Sequence, residues 1–141
     1  MRSGFIILII VALFSVSLAC SSVEFKIKTS HDLEETTWAL DTLNGSKIPP
    51  QHSKEITLMF DKKNGKIRGL GGCNEYFGDY ITDANKINFS NLGATKMFCN
   101  DMQAESDYLE SLPKIDKYEI YDKYLYFYIS DKAVMVFHAK D

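Results

Sequence analysis

Between residues 69 and 78 the chain carries Gly69, Gly71, Gly72 and Gly78, four glycines in ten residues. No helix tolerates that density, because each glycine costs roughly 1 kcal/mol of backbone entropy relative to alanine. The flanks, Lys66-Ile67-Arg68 and Tyr80-Ile81-Thr82, supply β-branched and aromatic residues that suit strands. The stretch between them reads as a sharp corner joining two strands, where glycine permits positive φ or the close approach of a second backbone. Cys73 lies in that corner and Cys99 follows downstream. A covalent staple holding the bend is the first reading of that pair.

The rest of the chain reads mainly as short strands. Residues 36–43 alternate, placing Trp38 and Leu40 on one face, which suits a core. Asn44-Gly45 is a strong turn signal and Pro49-Pro50 marks a loop. Ile56, Leu58 and Phe60 share a face, and the turn chemistry of Asp61-Lys62-Lys63-Asn64-Gly65 returns the chain along residues 66–70 as a hairpin. Residues 76–81 and 86–89 form a second pair around Asp83-Ala84-Asn85. One helix is expected, from an Asn100-x-x-Gln103 capping box to Leu112, with Met102, Glu105, Leu109 and Leu112 near one stripe and Tyr108 beside it. Asp101 and Glu105 in its first turns suit the helix dipole, and Pro113 ends it.

Residues 118–121, 124–129 and 134–137 close the chain as three strands with turns too short for anything but antiparallel pairing. Leu125, Phe127 and Ile129 face one way and Tyr124, Tyr126 and Tyr128 the other. The tyrosine face is either a contact surface or, more simply, a half-exposed face of cross-strand pairs. The fold class is therefore mainly β, α+β in detail: a small antiparallel, barrel-like sheet with one packed helix. A barrel could hold an apolar ligand in its interior, lined by Leu58, Phe60, Leu125, Phe127 and Phe137.

The N-terminus reads as a leader. Residues 5–18 are apolar and uncharged after Arg2, but about fourteen helical residues reach only about 21 Å, short of a bilayer core of about 30 Å. A basic start, a short apolar run and a small residue before a cut site make a secretory signal. Residues 1–19 are assigned to it. Ser17-Leu18-Ala19-Cys20 is similar to a bacterial lipobox with its leucine one place late, which leaves a lipoprotein signal, an ordinary signal and an uncleaved anchor in competition. Cysteine parity favours the first: of 3 Cys, a lipidated Cys20 leaves Cys73 and Cys99 as an even pair. Acyl chains at about 0.8 kcal/mol per buried methylene would hold the protein on a membrane. Residues 20–32, with His31 a solvated member, make a tether, and residues 33–141 the domain. Ser21 gives no aspartate-type inner-membrane signal, so the bacterial outer membrane is the expected site.

Catalytic signatures are missing from the sequence. The glycine corner has no Lys-Ser/Thr and no helix opening after it, so it does not cradle phosphate. His31, His52 and His138 have no ligand spacing, and no calcium loop or serine elbow appears. Carboxylate pairs such as Glu34-Glu35 and Asp107 with Glu110 read as solvated faces; Asp79, beside the corner, is the acid to inspect first. Net charge is −3, and loss of the leader with Arg2 makes the domain more acidic, which sets nucleic acid aside. Neither a metal nor a cofactor is expected, and the protein is read as a monomer and not an enzyme. Cys73 and Cys99 could be buried thiols or a redox pair, but lack Cys-x-x-Cys spacing; in an exported chain a structural disulfide is favoured.

Thr37-Trp38-Ala39-Leu40 with Leu43-Asn44-Gly45, then Leu58-Met59-Phe60, then the corner from Gly69 to Tyr80, resemble the META/HslJ domain family. Its hallmark is a Gly-Cys-Asn-x-Tyr/Phe-x-Gly-x-Tyr corner, met here by Gly72, Cys73, Asn74, Tyr76, Gly78 and Tyr80. Thr95-Lys96-Met97-Phe98-Cys99 looks like the family's Thr-x-Met-x-Cys element, and Glu105 with Tyr108-Leu109 like the helix after it. The closing Leu125-x-Phe127 and Met135-x-Phe137 fit as well. The resemblance implies a barrel-like domain common on envelope lipoproteins, linked to heat-shock and antibiotic-tolerance contexts and similar in fold to secretion-system pilot lipoproteins. It carries over no catalytic residue. Gly72, Asn74, Gly78, Tyr80, Cys73 and Cys99 transfer as structural positions. The expected role is an interaction or stress-tolerance module on the membrane, with a carrier of an apolar ligand or lipid, or a pilot-like chaperone, as the alternatives.

Overall fold

Alternating apolar residues and two-residue turns set up hairpins, and the sheet grows from them by nearest-neighbour pairing. The computed structural model describes residues 31–48, 55–99 and 102–140; the leader 1–19, Cys20, most of the tether, His52, Pro49-Pro50 and Asn100-Asp101 lie outside these. The strands are β1 (Trp38–Leu43), β2 (Ser46–Lys47), β3 (Thr57–Asp61), β4 (Lys66–Leu70), β5 (Glu75–Asp83), β6 (Lys86–Ala94), β7 (Lys117–Tyr121), β8 (Tyr124–Ile129) and β9 (Lys132–Ala139). Every pairing is antiparallel, and β1 with β9 closes the sheet into a ring. At the tight turns Asn44, Gly45, Asp122, Ser130 and Asp131 take positive φ, the conformation that matches hairpin twist.

Trp38 stands at one end of the β1–β9 pairing, opposite Ala139. Its ring is fully buried, and its indole N–H donates to the Leu33 carbonyl at 3.0 Å, tying the segment before β1 to the core. His31, expected in the tether as a solvated residue, instead sets its ring edge-on to Trp38 at 6.3 Å. An imidazole beside an indole gains contact that a free tether would forgo.

Leu58, Phe60, Leu125, Phe127 and Phe137 are all buried, and they pack on one another and their neighbours. Ring centroids lie 5.4 Å apart for Phe127–Phe137, 5.5 Å for Phe89–Phe127 and 4.9 Å for Phe60–Tyr80, each edge to face. Each such side chain contributes about 1.5–3 kcal/mol by leaving water. The tyrosine face of β8 is half-buried and paired: Tyr128 donates to Glu119 at 2.9 Å, and the Lys117 ammonium stands 4.9 Å over its ring.

The helix, α1 (Gln103–Ser111), is the one α-helix among the described residues, and it runs into a 3-10 turn at Leu112–Lys114 that contains Pro113. The expected capping box at its start lies partly outside the described residues. Met102 is the N-cap residue without a side-chain cap, and the Gln103 amide donates to Asp107 at 2.7 Å. Asn100 lies outside the described residues. The buried face is Glu105, Tyr108 and Ser111, continued by Leu112. Tyr108 meets Tyr76 of β5, hydroxyl to hydroxyl at 2.7 Å. Because Tyr76 donates to the Thr57 carbonyl at 2.8 Å, Tyr108 must be the donor between the two. Burial first, and the neighbouring phenol second, push the Tyr76 hydroxyl's pKa well above its usual value.

Candidate functional site

The glycine corner is built as the spacing predicts, and what holds it comes from two distant segments. Residues 71–74 link β4 to β5, with Gly72 at φ +113°, a region side chains rarely enter. At Gly69 a Cβ would stand 1.9 Å from the Thr57 carbonyl oxygen, so the adjoining strand approaches as only glycine allows. Gly78 faces the β-bulge at Asn91 (φ +50°), and Leu92 fills the space its side chain would need. A Gly72→Ala variant is expected to lose about 1–2 kcal/mol from backbone strain, measured as a lower urea midpoint at unchanged slope.

The first clamp is sulfur. Cys73 and Cys99 form a disulfide with Cα atoms 6.2 Å apart, 26 positions apart in sequence. The second is a carboxylate. Glu105 of α1 accepts the backbone N–H of Cys73 at 2.8 Å and that of Asn74 at 2.7 Å on Oε2, and the Asn74 amide at 2.7 Å on Oε1. Asn74, almost wholly buried, then turns its own oxygen to the Met97 N–H at 2.6 Å and the Thr95 hydroxyl at 2.9 Å. Corner, helix and the segment 95–99 are thus one hydrogen-bonded unit. Burial pushes the Glu105 carboxyl pKa up, but the donations from Asn74 and Cys73 outweigh it and hold the group below its ordinary value.

Sequence reasoning placed Glu105 on the inner stripe of α1 and credited it to the helix dipole. It missed its role as acceptor for the corner. An acidic residue on an otherwise apolar stripe was the available signal, since a buried carboxylate needs donors. Asn74, carried over as a structural position, is bonded to backbone and also to two side chains. Tyr80 packs edge to face on Phe60 and reaches Glu34 at 3.4 Å; burial, then Glu34, push its hydroxyl up to about 12.

The other acids stand apart from this unit. Asp79 takes donations from Asn91 at 2.6 Å and from Lys66, and these two, in that order, keep its carboxyl below the usual range. Asp107 is bound to Gln103, and Glu34 faces Lys62 at 3.6 Å. His138 and Asp41, 97 residues apart, meet at 2.7 Å on the outer face where β1 and β9 pair, a contact no local pattern encodes. Among the described residues no three His, Cys, Asp or Glu side chains are grouped to hold a metal ion.

Outward the corner presents three large apolar side chains among the exposed Glu75, Thr95 and Lys96. Phe98 is 88% exposed and Met97 about half, both on the disulfide-linked segment, and Phe77 of β5 lies exposed with its ring against Gly93. A carboxylate filled by three donors is a poor base, so this arrangement positions backbone.

The comparisons agree with that architecture. An NMR structure of a protein from Burkholderia xenovorans is similar with a TM-score of 0.62 and 27% identity, over 77% of this chain and 83% of that one. A crystal structure of a duf4847 family protein from Bacteroides vulgatus ATCC 8482 shares the fold, with a TM-score of 0.54 and 15% identity over 77% and 94% of the two chains. No curated protein matches the chain. The META domain model matches residues 31–141, from the histidine beside Trp38 through the closing strand, and the chain belongs to the META domain family.

Proposed function

We propose that this chain is a lipid-anchored envelope protein whose META domain works by binding a partner and catalyses nothing. One observation carries the reading: the buried polar side chains of the corner, Asn74 and Glu105, are spent on one another and on backbone, while three large apolar side chains, Phe77, Met97 and Phe98, stand exposed at its surface beside the charged Glu75 and Lys96. Such apolar side chains gain by being covered. Among the described residues no helix is long and apolar enough to cross a membrane. Attachment rests in this reading on Cys20, which would carry the lipid after removal of residues 1–19 and hold the domain on the outer membrane through residues 20–32.

The test is metabolic labelling with palmitate in a bacterial host, followed by affinity recovery from crosslinked envelopes. The wild-type chain is expected to take up label and sediment with membranes. Cys20→Ser is expected to lose the label, because the thiol that would carry the acyl chains is gone. Specific co-recovery of an envelope protein supports the interaction role; an unlabelled wild-type protein free of the membrane overturns the anchor.

A further inference from the structure

Strand β6 is paired on one side only over most of its length. β5 accompanies it from Lys86 to Ala94, whereas β7 contributes a single rung, Lys86 with Lys117, and then diverges. The 3-10 turn covers part of the exposed side. Beyond the bulge at Asn91, among the described residues, no strand lies along the edge formed by Leu92, Gly93 and Ala94.

The direction of the free groups follows from the ladder. Thr95 donates to the Glu75 carbonyl at 2.9 Å, which makes that pair the hydrogen-bonded one. Alternation then turns the N–H and C=O of Ala94 to the opposite, open edge. Proteins usually guard such an edge with charge, proline or a covering element. Leu92-Gly93-Ala94 has no charge and no proline.

Facing this edge across a groove of about 440 Å³ is one side of α1, with Met102 and Leu109 adding apolar wall to Leu92 and Ala94. The charged groups of the lining are the carboxylates Glu105 and Glu110, and no basic side chain joins them. Glu105 is committed to the corner; Glu110 is exposed. From Met102 to Glu110 the helical wall runs about 12 Å, at about 1.5 Å per residue. That length takes about three or four residues of an extended chain at about 3.3 Å each.

We propose that this groove docks an extended peptide, which adds to β6 as a further strand, packs alternate apolar side chains against Leu92 and Leu109, and sets a basic side chain beside Glu110. The backbone groups of the edge select an extended main chain, the wall selects apolar side chains at every second position, and the acidic rim selects positive charge. The proposal rests on reading the domain as an interaction module and names the surface it would use.

The exported protein, with its disulfide intact, would be titrated into a short fluorescent peptide of alternating valine and lysine. Two control peptides would be a version of equal charge with a central proline and one with glutamate for lysine. Fluorescence polarisation is expected to give at least about tenfold tighter binding to the first than to either control, a difference of about 1.4 kcal/mol. Hydrogen exchange should slow at residues 92–95. Leu109→Lys, on the wall of the groove, and Ala94→Pro, which removes one outward donor, should each weaken binding by about tenfold; because both side chains also touch the core, binding is read well below each variant's own thermal transition. Equal binding of the proline peptide, protection elsewhere such as at Phe98, or no binding to about 1 mM would overturn the proposal. So would dimerisation through the edge that Leu109→Lys abolishes, since the occupant would then be a second copy. Failure here with a labelled, partner-bound protein in the envelope experiment would remove this surface and leave the module reading standing.

Discussion

A Glu105→Ala variant is expected to lose about 4 kcal/mol of stability, or on the order of 15 °C in Tm for a domain of this size. The cause is the number of donors left behind. Three N–H groups, from the Cys73 backbone, the Asn74 backbone and the Asn74 side chain, converge on one carboxylate in a buried site. Each unsatisfied buried donor costs about 1–3 kcal/mol, and bonds to a charged acceptor are the stronger kind. Glu105→Gln keeps the shape but turns an amide N–H₂ toward donors, so it should fall between the two. Urea denaturation of the three proteins measures this; a loss under about 1 kcal/mol for the alanine variant would mean the corner holds without its acceptor.

The same group sets a pH dependence. Its folded pKa is depressed below the ordinary 4.5, so its contribution is fully present above 4.5 and is lost as pH falls through the lower folded value. Other lowered carboxylates, Asp61, Asp79 and Glu119, add to acid sensitivity. The difference between wild type and Glu105→Gln isolates the one at the corner. That difference should shrink as pH drops below 4.5 and stay flat from there to neutrality.

Removing both cysteines as Cys73→Ser/Cys99→Ser is expected to cost about 3 kcal/mol, because the closed loop spans 26 positions and its unfolded ensemble regains that freedom. Reductant should lower the urea midpoint of the wild type to match, and the oxidised chain should migrate faster on a non-reducing gel. The loss should not add simply to that of Asn74→Ala. Asn74 holds Thr95 and Met97, on the segment that ends at Cys99, so both clamps order the same residues. With the disulfide gone, those hydrogen bonds must also bear the cost of fixing the segment. A double-mutant cycle is expected to show coupling above about 0.5 kcal/mol. Strict additivity would show that the segment is held elsewhere.

By itself the sequence determined whatever is written in short-range pattern. The period-2 runs around Leu58, Phe89 and Phe127, the turns at Asn44-Gly45 and Ser130-Asp131, and the glycine density at 69–78 each admit one local solution, and the structure adopts it. Where composition stood in for contact it misled: His31, read as a solvated tether residue, sits at the core edge because Trp38 offers it contact.

The tertiary structure alone decided which distant residues meet. That Glu105 serves Asn74 across 31 positions, that β1 closes on β9, and that the far edge of β6 stands open opposite α1 all follow from how the sheet curls. Curling brings groups together through the summed twist of many strands and the burial of one shared core, and no single residue's neighbours in the chain record that sum.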